Sequence, residues 1–362
     1  MSIFDQLNFP FSFNAHRSPV FGRGGMIGAS QPLAVAAGLL ILEQGGNAVD
    51  AAVAVAAGLN VTEPGSTGLG GDAFVLFYDA STSKVTALNG SGRAPAALTL
   101  ERLQKEGLGD NLPIFHPYTI TVPGAAAAWC DIVERFGCLS LSQILAPAIR
   151  LAEEGFPVAP VTAHGWQSAA KTQLNKALNG NEMTIDGRGP KPGEIFKNPG
   201  LARTMRALAE GGKEAYYQGE IAEAIASIVQ EAGGCMTVVD LAAHHSTWEE
   251  PLSASYRDVT VWECPPNGQG MATLLALNIL EGFDLADLTP LTSLRLHLQI
   301  EAMRLAFADI RRYVADPAVT SVPMKELLDK AYAAERRKLI DPAKANPQIR
   351  FGTPTNASDT VY

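Results

Sequence analysis

Residues 32–59 constrain the architecture more than any other stretch. Leu33–Leu42 and Ala51–Leu59 are apolar almost throughout, and Glu43, Gln44, Asn47 and Asp50 stand between them. Ser30 is expected to cap a helix that starts at Pro32 and runs to Gln44, with the proline in its first turn. Gly45-Gly46 ends that helix. Asn47 caps the next, and Asp50, three residues on, favours its N-terminus. Ala48–Leu59 has no polar face, so this second helix is expected to be buried on most sides. Two tightly joined helices ahead of any long sheet argue against a simple βαβ start. Neither run is long enough to span a bilayer.

The bulk composition agrees with a well-packed chain. At 362 residues the length suits one large domain or two, and 47% apolar against 18% charged residues supports a sizeable core. The 34 glycines and 23 prolines are spread among apolar segments and read as turns. A net charge of −9, with no basic block, argues against a nucleic-acid partner. Cys130, Cys138, Cys235 and Cys264 form no CxxC pair, so free thiols are expected, not a metal cluster or a disulfide framework. The first residues, Met1-Ser2-Ile3-Phe4-Asp5-Gln6, lack the features of a secretory leader, and a soluble, cytoplasmic protein is expected.

Further along, Met26–Ser30 reads as a short strand. Glu63-Pro64-Gly65 opens a glycine-rich stretch in which Gly68 to Ala73 formally satisfies the dinucleotide fingerprint GxGxxA. That fingerprint needs a helix after it. Phe74–Asp79 reads as a strand instead, paired through a turn at 80–83 with Lys84–Leu88, so a dinucleotide site is rejected. Asn89-Gly90-Ser91-Gly92-Arg93-Ala94-Pro95 closes the second strand. Arg93 stands alone among small residues; it is either a surface arginine or a bidentate holder of a carboxylate.

Thr119–Val122 reads as a strand. Helices are expected over Ala125–Phe136, Ser140–Glu154, Ala169–Leu178, Leu201–Ala209, Glu220–Glu231, Val238–His244, Met271–Glu281, Thr292–Val314 and Met324–Ile340. Pro251–Val261 reads as strand, turn, strand. His297 and Glu301, four apart, share a helix face, where a satisfied polar contact is favoured over a metal site. The segment 341–359, with Pro342, Pro347 and Pro354, reads as a mobile linker.

The last residues, Asn356 to Tyr362, look like the start of a buried strand. Thr360 is either an ordinary strand threonine or a nucleophile. If the Asp359–Thr360 bond is cut, the freed α-amine, with a pKa of roughly 8, lies beside the threonine hydroxyl as its base.

An ordered set of motifs resembles the large subunit of the γ-glutamyltranspeptidase family. It comprises Ser30-Gln31-Pro32-Leu33-Ala34, Gly45-Gly46-Asn47-Ala48-Val49-Asp50-Ala51-Ala52, Glu63-Pro64 and Gly68-Leu69-Gly70-Gly71-Asp72-Ala73-Phe74. Val122-Pro123-Gly124, Ala146-Pro147-Ala148, Gly155-Phe156 and Ile279-Leu280-Glu281-Gly282-Phe283 follow in order. The likeness runs from about residue 17 to the end. It implies an α+β fold, the αββα sandwich of the N-terminal nucleophile hydrolases. Residues 1–359 would be the large-subunit region of a single such domain, with 360–362 opening the nucleophile strand of the small subunit.

The resemblance further implies a precursor that cuts itself between Asp359 and Thr360, with Thr360 then the catalytic nucleophile. In relatives acting on glutathione an arginine holds the α-carboxylate of the γ-glutamyl group; Ser91 occupies the matching position here. Arg93 lies two residues on, on the same face but about 7 Å further if the segment is extended. The local sequence looks more like the cytoplasmic amidohydrolase branch, which includes oxamate amidohydrolase and relatives of cephalosporin acylase. A small, oxamate-like amide is therefore the expected substrate, bound by Arg93 and Ser91 without cofactor or metal. Glutathione hydrolysis or γ-glutamyl transfer, and a cephalosporin-acylase-like amidase activity, are the alternatives. The expected partner is the small-subunit fragment of the same precursor, with a higher oligomer left open. Without that fragment the chain would be a non-catalytic scaffold.

Overall fold

The computed structural model describes residues 19–109 and 111–354. Thr360 and Asp359 lie outside the described residues. Helices and strands are mixed, and the class is α+β. The chain divides into two compact units, whose described parts are residues 19–74 with 88–247, and residues 75–87 with 248–354.

The first unit is built on the helices α1 (Pro32–Glu43) and α2 (Ala48–Thr62), packed against each other. Asn47 caps α2 as expected. Its Oδ1 accepts from the amides of Val49 (2.9 Å) and Asp50 (3.1 Å), and Asp50 returns the contact by accepting from Asn47 N–H at 2.9 Å. The Asp50 carboxylate is fully buried and also accepts the Cys138 amide at 3.1 Å. Ser30 does not cap α1; Gln31 holds the cap position. Ser30 Oγ donates to Glu63 at 2.8 Å and Gln31 Nε2 donates to the same carboxylate at 3.1 Å, so Glu63 ties the start of α1 to the end of α2. Met26–Ser30 forms no strand.

The hairpin β1 (Ala73–Asp79) and β2 (Lys84–Gly90) follows. Next come α3 (Leu100–Lys105), α4 (Ala125–Phe136), α5 (Leu141–Glu154), β3 (Phe156–Pro157), α6 (Pro160–Thr172), β4 (Ile195–Phe196), α7 (Pro199–Tyr217), α8 (Glu220–Glu231) and α9 (Val238–Ala242). Ser140 caps α5 in a capping box with Gln143. Buried Ala125–Ala128, Ile144, Leu145, Met205 and Leu208 fill the space among α4, α5 and α7.

Three expectations in this stretch are corrected. Thr119–Val122 is no strand: Pro117–Thr119 is a single 3₁₀ turn, which proline's fixed φ favours. The helix expected at Ala169–Leu178 starts at Pro160, suited to a first turn, and ends at Thr172. Helix α7 continues past Ala209 to Tyr217 through a break at Gly212 (φ 59°).

The strand β5 (Thr247–Glu249) completes a sheet of order β1-β2-β5. The second unit continues with the antiparallel pair β6 (Leu252–Tyr256) and β7 (Val259–Glu263), joined through Arg257 in a left-handed turn (φ 57°). The apolar helix α10 (Met271–Leu280) is its core, packed by α11 (Ser293–Tyr313) and α13 (Lys330–Arg337). Arg337 donates to the carbonyls of Ile279 (2.7 Å) and Asn278 (2.9 Å), where the helix end is negative. The single helix expected at Met324–Ile340 is two, α12 (Met324–Leu327) and α13, because Asp329 turns out of the first and caps the second through Ala331 N–H at 2.6 Å.

One face of α11 carries His297, Glu301, Leu305, Asp309 and Tyr313, each four residues from the last. The segment 341–352 runs along it. His297 Nε2 meets Asp341 O at 2.8 Å, Glu301 accepts Asn346 N–H at 3.2 Å, Asp309 accepts Gly352 N–H at 2.8 Å, and Tyr313 Oη donates to Gly352 O at 2.8 Å. The stretch that reads as a mobile linker is thus fastened as far as residue 352. Backbone groups take its bonds, so side-chain composition does not reveal it.

Removing the Asp50 carboxylate leaves the Asn47 and Cys138 amides without their acceptor. The Asp50→Ala protein is expected to lose about 2 kcal/mol of stability, read as a lower urea midpoint at an unchanged slope.

Candidate active site

Beyond β2 the chain is shaped by its own side chains. Asn89 Oδ1 accepts the Ser91 amide at 3.0 Å and the Ser91 hydroxyl at 2.8 Å. That turn sends the following residues against Val122-Pro123-Gly124. A Cβ at Gly92 would sit 1.6 Å from Val122 O, and one at Gly124 would sit 2.1 Å from Gly90 O. Only glycine allows the two backbones to come so near. Val122 N–H then donates to Arg93 O at 2.9 Å. Three residues on, Ala96 N–H donates at 2.8 Å to Asp240, whose carboxylate also accepts the amide of Thr237, the N-cap of α9. Main-chain bonds therefore hold the Arg93 loop on both sides.

The glycine-rich stretch supplies the floor. Gly71 O accepts both Gly124 N–H (2.8 Å) and Ala125 N–H (3.0 Å), so one carbonyl seats the first amides of α4. Tyr217 Oη donates to Pro123 O at 2.8 Å and accepts Ala127 N–H at 3.1 Å; Tyr216 Oη donates to Leu69 O at 2.9 Å. Residues 68–73 lead into β1 and not into a helix, in keeping with the rejection of a dinucleotide site.

The Arg93 guanidinium is exposed, and its Nη2 lies 3.3 Å from His245 Nε2. An arginine has only donors, so Nε2 accepts and Nδ1–H donates to Ala243 O at 3.2 Å. The neighbouring His244 stacks on Tyr217, with centroids 5.2 Å apart and rings 28° from parallel. Burial, aided by Arg93 and His245, pushes the His244 imidazole down to about 4. Both its ring nitrogens are buried without a hydrogen-bond partner among the described residues.

Of the expected site residues, Ser91 and Arg93 share this loop with different fates: the serine turns back onto Asn89, and the arginine points its fork outward beside His245. His244, His245, Tyr216 and Tyr217 were not singled out in the sequence. The His-His and Tyr-Tyr doublets were the available signal, but His245 lies 152 positions from Arg93. Among the described residues no group of three or more His, Cys, Asp or Glu is arranged to hold a metal ion, and no helix is long and apolar enough to cross a membrane.

The depressed His244 value sets a sign for acid stability. Between the ordinary imidazole value of about 6.5 and the folded value of about 4, the unfolded chain binds a proton that the folded chain does not. Stability is present above pH 6.5 and is lost as pH falls toward 4. The His244→Phe protein is expected to lose less stability than wild type over that window, which urea titrations at pH 4.5, 5.5 and 7 would read.

The chain matches known proteins over nearly its whole length. The γ-glutamyltranspeptidase family model covers residues 34–362. The glutathione hydrolase-like YwrD proenzyme of Bacillus subtilis (strain 168) is 36% identical over 348 residues, covering 95% of this chain and 64% of that protein. The chain thus spans less than two thirds of the length of that relative. The γ-glutamyltranspeptidase of Helicobacter pylori superposes with a TM-score of 0.87 at 30% identity, covering 95% of this chain and 100% of the matched chain. The cephalosporin acylase of Bacillus halodurans gives 0.83 at 42% identity, covering 95% and 66%. The α+β fold is that of the N-terminal nucleophile hydrolases. The chain belongs to the γ-glutamyltranspeptidase family.

Proposed function

We propose that the full-length protein is a self-processing amide hydrolase with Thr360 as nucleophile, acting on a small amide whose acyl part carries a carboxylate, as oxamate does. Family membership supports the reaction class. The observation that carries the substrate class is Arg93: main-chain bonds pin its loop, and its exposed fork faces outward with His245 behind one nitrogen. Such a fork binds a carboxylate through two parallel hydrogen bonds. Ser91 has no charge to offer an α-carboxylate, and its hydroxyl is engaged with Asn89.

In the precursor, Thr360 Oγ attacks the Asp359 carbonyl carbon. The peptide C–N bond breaks as an ester forms, and the hydroxyl proton passes to the leaving nitrogen. Water hydrolyses the ester, leaving Asp359 as a C-terminal carboxylate and Thr360 with a free α-amine. That amine, with a pKa of roughly 8, takes the Oγ proton when the hydroxyl attacks the substrate carbonyl. It returns the proton to the departing ammonia or amine, and water clears the acyl-enzyme. The partner is the small-subunit fragment, a reading supported by the proenzyme nature of the YwrD relative. The cytoplasm is the proposed compartment.

A second reading, γ-glutamyl or cephalosporin amide hydrolysis, is favoured by the likeness to the Helicobacter γ-glutamyltranspeptidase and the Bacillus cephalosporin acylase. Ammonia release from oxamate, set against turnover of a γ-glutamyl anilide, separates the two. Arg93→Ala is expected to raise KM for oxamate about tenfold to a hundredfold. An unchanged KM would remove Arg93 from the site. Thr360→Ala is expected to leave the precursor whole by mass spectrometry; two fragments from that variant would end the nucleophile reading.

A further inference from the structure

On the face of α11 that fastens residues 341–352, Asp309 pairs with Arg336 of α13 at 3.0 Å, and the pair has almost no exposure, Arg336 at 5% and Asp309 at 0%. Two buried charges are costly unless every remaining bond is used. Here the remaining bonds go to the segment and to the helix beside it. Asp309 accepts Gly352 N–H at 2.8 Å, and Arg336 Nη2 donates to Arg350 O at 2.7 Å and to Leu305 O at 3.4 Å. Tyr313 adds its hydroxyl on Gly352 O at 2.8 Å. The fit is close: a Cβ at Gly352 would lie 2.4 Å from Tyr332 Oη and 2.9 Å from Arg336 Cδ. The His297 and Glu301 contacts upstream set the direction of the segment, parallel to α11.

Gly352 stands seven residues before Asp359. Seven residues reach at most about 25 Å. We propose that Asp309 and Arg336, with Tyr313, are positioning residues for self-cleavage. They hold the chain at Gly352, limit where the Asp359–Thr360 bond can lie, and keep the new large-subunit tail pinned at 352 once the bond is cut. The inference rests on the reading of Thr360 as a self-cleaving nucleophile.

The test follows the maturation of the full-length protein. Wild type, Asp309→Asn, Arg336→Met, Tyr313→Phe and Gly352→Ala precursors are made in a short pulse, and the rate at which two fragments appear is measured. Thr360→Ala is the uncut reference. Each variant is then left until maturation is complete, and the kcat and Tm of the mature enzyme are measured. The expected result is maturation about tenfold slower or more in the Asp309 and Arg336 variants, since a released segment lets the bond sample a larger volume and spend less time in the reactive geometry. Tyr313→Phe, which removes only a hydroxyl, is expected to slow maturation less, with Tm unchanged. Mature kcat should stay within about twofold of wild type once the cut is made.

Wild-type maturation rates in all variants would overturn the proposal. So would a fall in mature kcat and Tm in step with maturation, because that is the mark of a merely structural pair. A wild-type precursor that stays whole, like Thr360→Ala, would end the nucleophile reading itself and this inference with it. That outcome differs visibly from a cleaving wild type with unaffected variants.

Discussion

The arrangement of the candidate site depends on two backbones passing closer than any side chain would allow. Gly92 meets Val122 O, and Gly124 meets Gly90 O. From that approach follow the Val122–Arg93 bond, the position of the guanidinium, and the seat of α4 on Gly71 O. Tyr217 braces the approach by donating to Pro123 O and carries His244 on its face, while Tyr216 donates to Leu69 O in the neighbouring glycine-rich stretch. A single methyl group at position 92 has no room unless one of these backbones moves.

Charge is buried in this protein where it organises backbone. Asp50 joins the start of α2 to the Cys138 amide, and Asp309 with Arg336 joins α11 and α13 to the segment 350–352. Replacing such a group with an apolar one would remove a desolvation penalty but would leave several amides without acceptors. Exposed pairs such as Lys338–Glu335 carry no such consequence and contribute little.

Much of the local structure could be read from residues a few positions apart. Asn47 with Asp50, Ser140 with Gln143, and the hairpin either side of residues 80–83 all act through neighbours in sequence, and the structure has them as expected. Ser30 has the chemistry of a cap, but it stands one residue ahead of the N-cap position and its hydroxyl donates to the distant Glu63 carboxylate. Asp329 stands inside an apparently continuous helical pattern, and its side chain caps the second half. The segment 341–352 is poor in apolar residues, and its attachment runs through main-chain amides and carbonyls held by distant side chains.

By itself, the sequence determined the paired apolar helices, the α+β class, the family likeness and the choice of Thr360, Ser91 and Arg93 as candidates. The helices rest on the type and spacing of residues, and the class and the candidates on what the family resemblance of the motifs implies; a chain carries both whether or not it is folded. Only the tertiary structure decided that Ser91 turns inward onto Asn89 while Arg93 points outward beside His245. It alone decided that His244 stacks on Tyr217, and that a proline-bearing segment lies fastened along α11. Each of these joins groups tens to more than a hundred positions apart, or turns on which way a side chain points. Such contacts exist only once packing has brought separate segments together and excluded water from between them.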